Sequence, residues 1–458
     1  MSAKQLSLFE INKNPIDKSN HCCFKDKNFS YLNVNGDIPT NIFQDTFISV
    51  TRKPALKIHS LGFQPAKSIP EIPRWFLHKY ASKQSYTVLE PFAGSGTTLI
   101  ESIKYGSSIY WLDYQPFSRL ICQVKTIRFE LNEINGEILK IIKNSLQQPV
   151  APETIHFSNK DFWFQKPVQE ALEILREQIM SSKESVQPLL WLAFATTVRK
   201  SSNMNDGMIL AARRSHIKDI PILTREDVFQ YFHTYAVKAY EAISEWQYYL
   251  NNPNVEIREL PLDDSRTIEG VWYCDAVITS PPYINAIDYV WASKFELHWL
   301  GLVENDNKRL QLYSKEIGTE RISSSEYKEL GKLGHQKIDP IIEDIYFARK
   351  YQASKGQNQL RARVVYKYFY DMKNHFSSCF SILKKGGYYC FTIGDTSTIC
   401  GVDIPVASIL TELACEVGFR EQFRFHLLLK NRKLNIPRNV NWAGTIKHDT
   451  TIILEKPI

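Results

Sequence analysis

The amino-acid sequence predicts an α/β protein, a doubly wound sheet interrupted by two largely helical insertions. Two observations point there. Residues 86–113 read as strand, glycine turn, helix and strand, the opening of a doubly wound domain. Residues 129–253 and 304–360 carry no strand alternation, and segments such as VQEALEILREQI place apolar residues at helical spacing instead. The composition agrees, since 43% of the 458 residues are apolar and 23% charged, which excludes global disorder and fibrous repeats. That length suits about three domain-sized units, or one core elaborated by insertions.

The elements follow in chain order. Residues 1–55 are polar and turn-rich (NKNP, NVNG) without a clear period, and read as a loosely attached arm. The first core stretch is 56–128. In it Pro70 and Pro73 open an amphipathic helix over 74–83, with Trp75, Phe76 and Leu77 among its apolar positions. A buried strand over 86–90, a helix over 97–104 and a strand over 108–112 come next, the last ending on Asp113. After the first insertion, strand patterns resume at 255–260 and 276–279, within a second core stretch, 254–303. The third, 361–458, reads helix (364–383), Gly-Gly turn, strand (388–393), helix (405–417) and closing strands (422–429, 450–455).

Several classes are disfavoured. No apolar run approaches the ~18 residues that span a bilayer. The start, MSAKQLSLFEINKN, has no apolar signal region, so a soluble, cytoplasmic protein is expected. The eight cysteines, at 22, 23, 122, 274, 379, 390, 400 and 415, form no CxxC and have no HxxxH partner set. Neither a disulfide framework nor a metal site is expected from that spacing. A formal charge of +7 permits a nucleic-acid partner without demanding one.

The first chemical motif is Glu90-Pro91-Phe92-Ala93-Gly94-Ser95-Gly96-Thr97-Thr98. A strand ends on an acid, two glycines allow a tight turn, and the amides of the following helix favour a negatively charged group. Asp113 closes the next strand, where such folds place an acid against ribose hydroxyls. The pattern is neither GxGxxG nor GxxxxGK[ST], which disfavours dinucleotides and triphosphates. A ligand with an adenosine end and no pyrophosphate fits better, and S-adenosylmethionine is one.

The second motif is Ser280-Pro281-Pro282-Tyr283, entered from a buried strand. Two prolines fix one extended path and keep Pro281 out of helical geometry. A hydroxyl, a carbonyl and an aromatic face are then presented together, a set suited to a planar heterocycle bearing an exocyclic amine.

The pairing of EPFAGSGTT with TSPPY resembles the amino-methyltransferases that act on DNA bases. That resemblance implies a Rossmann-like class I S-adenosylmethionine-dependent methyltransferase sheet. Residues 59–67, ending on Lys67, resemble the family segment that covers the methionine end of the cofactor. Asp264 resembles the acid that takes the cofactor's adenine amine, and Gly386 to Asp395 resemble the late strand of the fold. The cofactor set is then Lys67, Glu90, Pro91, Phe92, Gly94, Gly96, Thr97, Asp113 and Asp264. Ser280, Pro281, Pro282 and Tyr283 are the catalytic set. Glu90 departs from the usual Asp, a longer carboxylate still expected to reach the cofactor. Ser at 280 is similar to members that methylate cytosine N4. The resemblance implies direct transfer to a base flipped out of duplex DNA and stacked on Tyr283. It also implies a prokaryotic, nucleoid-associated setting and a cognate restriction endonuclease as a partner.

Two windows without any acid suit phosphate contacts. Residues 345–370 carry Arg349, Lys350, Arg361 and Arg363 among aromatics, and residues 422–448 carry Arg432 and Lys433. Without the twelve basic residues of these windows, the chain holds 44 basic against 49 acidic side chains. Arg199, Lys200, Arg213 and Arg214 mark the first insertion as the expected target-recognition region. At the start, Gln5-Leu6-Ser7-Leu8-Phe9 resembles the peptide by which bacterial proteins dock on the replication sliding clamp. Other readings stay open: an adenine-N6 enzyme on DNA, an RNA guanine-N2 enzyme, and a nucleic-acid binder without activity.

Overall fold

The computed structural model describes residues 30–51, 55–81, 85–205, 208–214, 220–270, 273–284, 287–354, 356–429, 446 and 448–458. Among these residues nine strands form one sheet: β1 (Tyr31–Asn35), β2 (Phe47–Thr51), β3 (Thr87–Glu90), β4 (Ser108–Trp111), β5 (Ile257–Glu259), β6 (Cys274–Thr279), β7 (Leu383–Gly394), β10 (Arg420–Leu428) and β11 (His448–Glu455). A separate hairpin joins β8 (Ser397–Ile399) to β9 (Val402–Ile404). The sheet order is β1-β2-β10-β11-β7-β6-β3-β4-β5. Every pair is parallel except those of β11, which is antiparallel to both β10 and β7.

Strand periodicity divides the core into two. Val88, Ala276, Ile278 and Cys390 point to one face, Leu89, Val277, Tyr389 and Phe391 to the other, as alternation requires. The first face is covered by α1 (Glu71–Tyr80), α2 (Thr97–Tyr105) and α3 (Pro116–Thr126). Five more helices thicken that layer: α4 (Leu131–Gln147), α5 (Lys160–Trp163), α6 (Lys166–Met180), α7 (Gln187–Ser201) and α8 (Arg225–Trp246). Short helices α9 (Tyr289–Ala292), α10 (Lys294–Trp299) and α11 (Asp306–Gln311) follow β6. The second face is covered by α12 (Ile338–Tyr346), α13 (Gln357–Ile382) and α14 (Val406–Val417). With helices on both faces, the central strands are buried on both sides, which is why they read as apolar runs.

The start of the chain differs from its expected form. Within 1–55, residues 31–35 and 47–51 are strands that extend the sheet edge beyond β10 rather than a loosely attached arm. They are five residues each, flanked by turns, and their partner lies far along the chain, so no local signal marked them. The β8–β9 hairpin was also unforeseen. Its two-residue turn uses positive φ at both Cys400 (48°) and Gly401 (71°), the twist that such hairpins prefer.

Trp75 fastens this edge to the core. It is 2% exposed, packs edge-on against Phe425 of β10 at 4.8 Å, and donates its indole N–H to the Pro39 carbonyl at 3.0 Å. Replacing Trp75 with Ala should lower unfolding free energy by ~3–5 kcal/mol, read from the midpoint shift in denaturant titration.

Candidate functional site

Strand order reverses between β3 and β6, and in open α/β sheets ligands bind outside the carboxyl ends at such a point. Both motifs sit there. Glu90 ends β3 and opens the glycine turn, while Ser280–Tyr283 leave the end of β6. Between them lies a cavity of about 980 Å³. Its wall includes Lys67, Glu90, Pro91, Phe92, Gly94, Thr97, Asp113, Ser280, Pro281, Pro282 and Tyr283. Thus residues from four separate parts of the chain are brought together.

The glycine turn is held from beneath. Gly94 (φ 47°) and Gly96 (φ 72°) adopt left-handed backbone, and Gly96 caps α2. The Gly94 N–H donates to Asp113 Oδ2 at 2.8 Å, and the Gln115 N–H to Oδ1 at 2.8 Å. Burial pushes Asp113 up to about 6, against those two hydrogen bonds. Glu90 accepts from the Phe92 N–H at 3.0 Å, the Thr98 hydroxyl at 2.7 Å, and the Thr279 hydroxyl of β6. It is 4% exposed, and burial outweighs those donors, pushing its pKa up to about 8.

Gly96 and Asp264 do not reach the wall. Gly96 faces α3, where an added Cβ would stand 3.4 Å from Lys125 Cδ. Asp264 instead pairs with Arg266 at 2.7 Å, and Arg266 also meets Asp371 at 3.2 Å. Ser265 takes the wall position beside it. Lys67 is on the wall, donating to the Gly62 carbonyl at 2.9 Å, with its pKa lowered by burial.

Lys125 escaped sequence reasoning. Fully buried, it donates Nζ to the Ser95 carbonyl at 2.7 Å under the glycine turn, and burial lowers its pKa to about 7. A signal existed. Lys125 follows the buried Ile121 and Cys122 at helical spacing, on the inward face of α3. Tyr114, Gln115, Ser118, Tyr289 and Thr392 also line the cavity and were not foreseen.

The second motif is braced by β7 and α13. The Ser280 hydroxyl donates to the Thr392 carbonyl at 3.1 Å, and the Tyr368 hydroxyl to the Pro282 carbonyl at 3.1 Å. With its proton committed, Ser280 Oγ offers lone pairs to the cavity. A Cβ on Gly394 would come within 3.2 Å of the Tyr283 ring, so a bare backbone sets the ring's position.

The basic residues divide. Arg199 turns inward, with Nε 2.8 Å from the buried Glu296 and its guanidinium 3.6 Å over Phe63. Arg361 is mostly buried and pairs with Glu320. Neither is a surface cation, because acids distant in sequence neutralise them. Arg349 is exposed but lies 2.9 Å from Asp344. Arg213 stacks on Phe162 at 4.3 Å and Arg363 on Tyr366 at 4.6 Å, and both, like Arg214, are half-buried. Lys200 and Lys350 are exposed. Arg432, Lys433 and the Gln5–Phe9 segment lie outside the described residues.

No family model matches the chain. Over most of its length it is similar to Type II methyltransferases. It is 21% identical to M.MvaI of Kocuria varians, covering 86% of this chain and 90% of the relative. It is 23% identical to M.AvaI of Nostoc sp. (78% and 81%) and 26% identical to M.BsoBI of Geobacillus stearothermophilus (84% and 83%).

Two outcomes are expected. A carboxyl whose folded pKa is raised contributes stability below its unfolded pKa and loses it as pH rises through the folded value. Stability should therefore fall between about pH 4.5 and 8 by up to ~1.4 kcal/mol per pH unit from Glu90, and Glu90→Gln should flatten that slope in melts across pH. Arg199→Ala leaves Glu296 buried and unpaired, and should cost ~3–5 kcal/mol in stability. Unfolding titrations compared with binding assays on the folded fraction would show stability falling while nucleic-acid affinity holds.

Proposed function

We propose that this protein is a site-specific DNA methyltransferase that transfers a methyl group from S-adenosylmethionine to the N4 amine of cytosine in duplex DNA. One observation carries the reading: the glycine turn and the Ser280–Tyr283 segment face a single cavity at the point where strand order reverses. The names of the similar proteins, Type II methyltransferases, support the reaction class.

The residues present fit the cofactor. A cavity of about 980 Å³ is at the top of the range for small-ligand sites, room for a nucleoside and an entering base. Lys67 would meet the carboxylate end, Gly94 the backbone approach, and Asp113 the ribose. At the adenine end, Ser265 stands on the wall and Asp264 behind it. S-adenosylmethionine supplies an electrophilic sulfonium methyl, so the chain's task is to place an amine.

Ser280 and the Pro281 carbonyl are acceptors, as an exocyclic NH2 requires. Holding both amine hydrogens turns its lone pair out of conjugation with the ring and fixes its direction. Rate then comes from positioning. Tyr283 gives the flipped base a stacking surface. Among the described residues no cysteine lines the cavity, and burial pushes the thiols of Cys122 and Cys390 up, consistent with transfer without a covalent intermediate. Phosphate contacts fall to the exposed Lys200 and Lys350 with Arg213, Arg214, Arg349 and Arg363, and to Arg432 and Lys433. A cognate endonuclease and cytoplasmic location belong to the same reading. Among the described residues no helix is long and apolar enough to cross a membrane.

Nucleoside mass spectrometry of DNA from cells expressing the chain should show N4-methylcytosine. N6-methyladenine alone would reassign the base, and neither modification would remove the proposal. Tyr283→Ala should lose ~1–3 kcal/mol of base stacking, or about 5- to 150-fold in kcat/KM on duplex DNA, measured with radiolabelled cofactor.

A further inference from the structure

Beside the cavity, where β7, β10 and β11 meet, lies a cluster the proposed reaction does not use. Asp395 follows Gly394 at the end of β7, His426 is on β10, and His448 begins β11. One ligand atom from each lies within 4.8 Å of the others. Asp395 Oδ2 is 3.4 Å from His448 Nε2. The Thr450 hydroxyl links the remaining pair, 3.1 Å from Asp395 Oδ1 and 2.9 Å from His426 Nδ1.

We propose that Asp395, His426 and His448 form a binding site for a divalent cation of the zinc type, with solvent at the fourth position. Bonds of about 2.0–2.1 Å in a tetrahedron put neighbouring ligand atoms about 3.3–3.4 Å apart. The Asp395–His448 pair already stands at that separation, and His426, whose ligand atom lies within 4.8 Å of both, would join by exchanging the Thr450 hydroxyl at Nδ1 for the ion. Two imidazoles with a single carboxylate favour zinc-like ions over magnesium or calcium, which take mainly oxygen ligands.

The surroundings orient the ligands. The other ring nitrogen of His426, Nε2, faces Asp45 Oδ1 at 3.6 Å. At that distance the carboxylate is an electrostatic neighbour that favours a proton on Nε2 and leaves Nδ1 for the ion, the arrangement seen behind ligating histidines. Phe47 stacks on His426 at 4.5 Å and lies edge-on to His448 at 5.2 Å, which limits both rings. The ion would clip the β10–β11 hairpin to the end of β7, one residue from the glycine that abuts Tyr283. Its role is structural, and it stands whichever base is methylated.

The test uses the full, untagged chain, stripped with chelator and titrated calorimetrically with zinc sulfate. One equivalent should bind, and the melting temperature should rise with zinc. His426→Gln and His448→Gln should each weaken binding at least tenfold, while His335→Gln, at a histidine far along the chain from the cluster, should not. His448→Gln lies at a partly exposed strand start and keeps the test decisive if the His426 variant fails to fold. Unchanged zinc affinity in the His448 variant, or no stoichiometric uptake by the parent, would overturn the site.

Discussion

The buried carboxylate of Glu90 is the constraint on which the site depends. It ends β3, yet one of its hydrogen bonds comes from Thr279 on β6 and another from Thr98 on α2. One side chain therefore binds together the two strands that flank the reversal of order and the helix that follows the glycine turn. The Phe92 amide, also directed at Glu90, starts the turn in the correct direction. A shorter acid would leave part of this buried set unpaired. The length of Glu lets one carboxylate reach from the end of β3 to Thr279 on β6.

What was legible in the sequence was local. Each chemical motif is attached to the end of a strand, so the strand signal and the motif reinforced one another. Gly94, Asp113 and Ser280–Tyr283 were found that way, and the structure brings them to one cavity. The helices between Leu131 and Trp246 were legible for the same reason, because helical spacing is a property of neighbours, whereas the described residues of 304–360 hold only the short α11 and α12 among turns before α13 begins. Asp264 was matched by its neighbours too. Arg266 stood in that matched stretch, but nothing in the stretch revealed that its guanidinium takes the carboxylate.

The illegible features have partners that are distant in sequence. Strands β1 and β2 make sense only against β10. The acid-free windows looked like open cationic surfaces, but Glu320 and Glu326 reach Arg361 and Lys367 from elsewhere. Arg199 likewise meets an acid 97 positions away. Charge counted along a window is therefore a poor measure of charge presented to solvent. The Asp395–His426–His448 cluster evaded a search for metal spacing because its members come from β10, β11 and the residue just after β7.

The pairing of β2 with β10 has a consequence for how the chain is made. Phe47 is in register with His426, so the sheet edge cannot close until almost the whole chain exists. At roughly 5–20 residues per second, that partner emerges about 20 to 75 seconds after Phe47. During that interval the first strands present bare backbone and an apolar face, the condition in which strands find wrong partners. Their brevity, and the polar residues that alternate through YLNVN, limit what they can pair with while they wait. The same features that hid these strands from sequence reasoning keep them safe during synthesis.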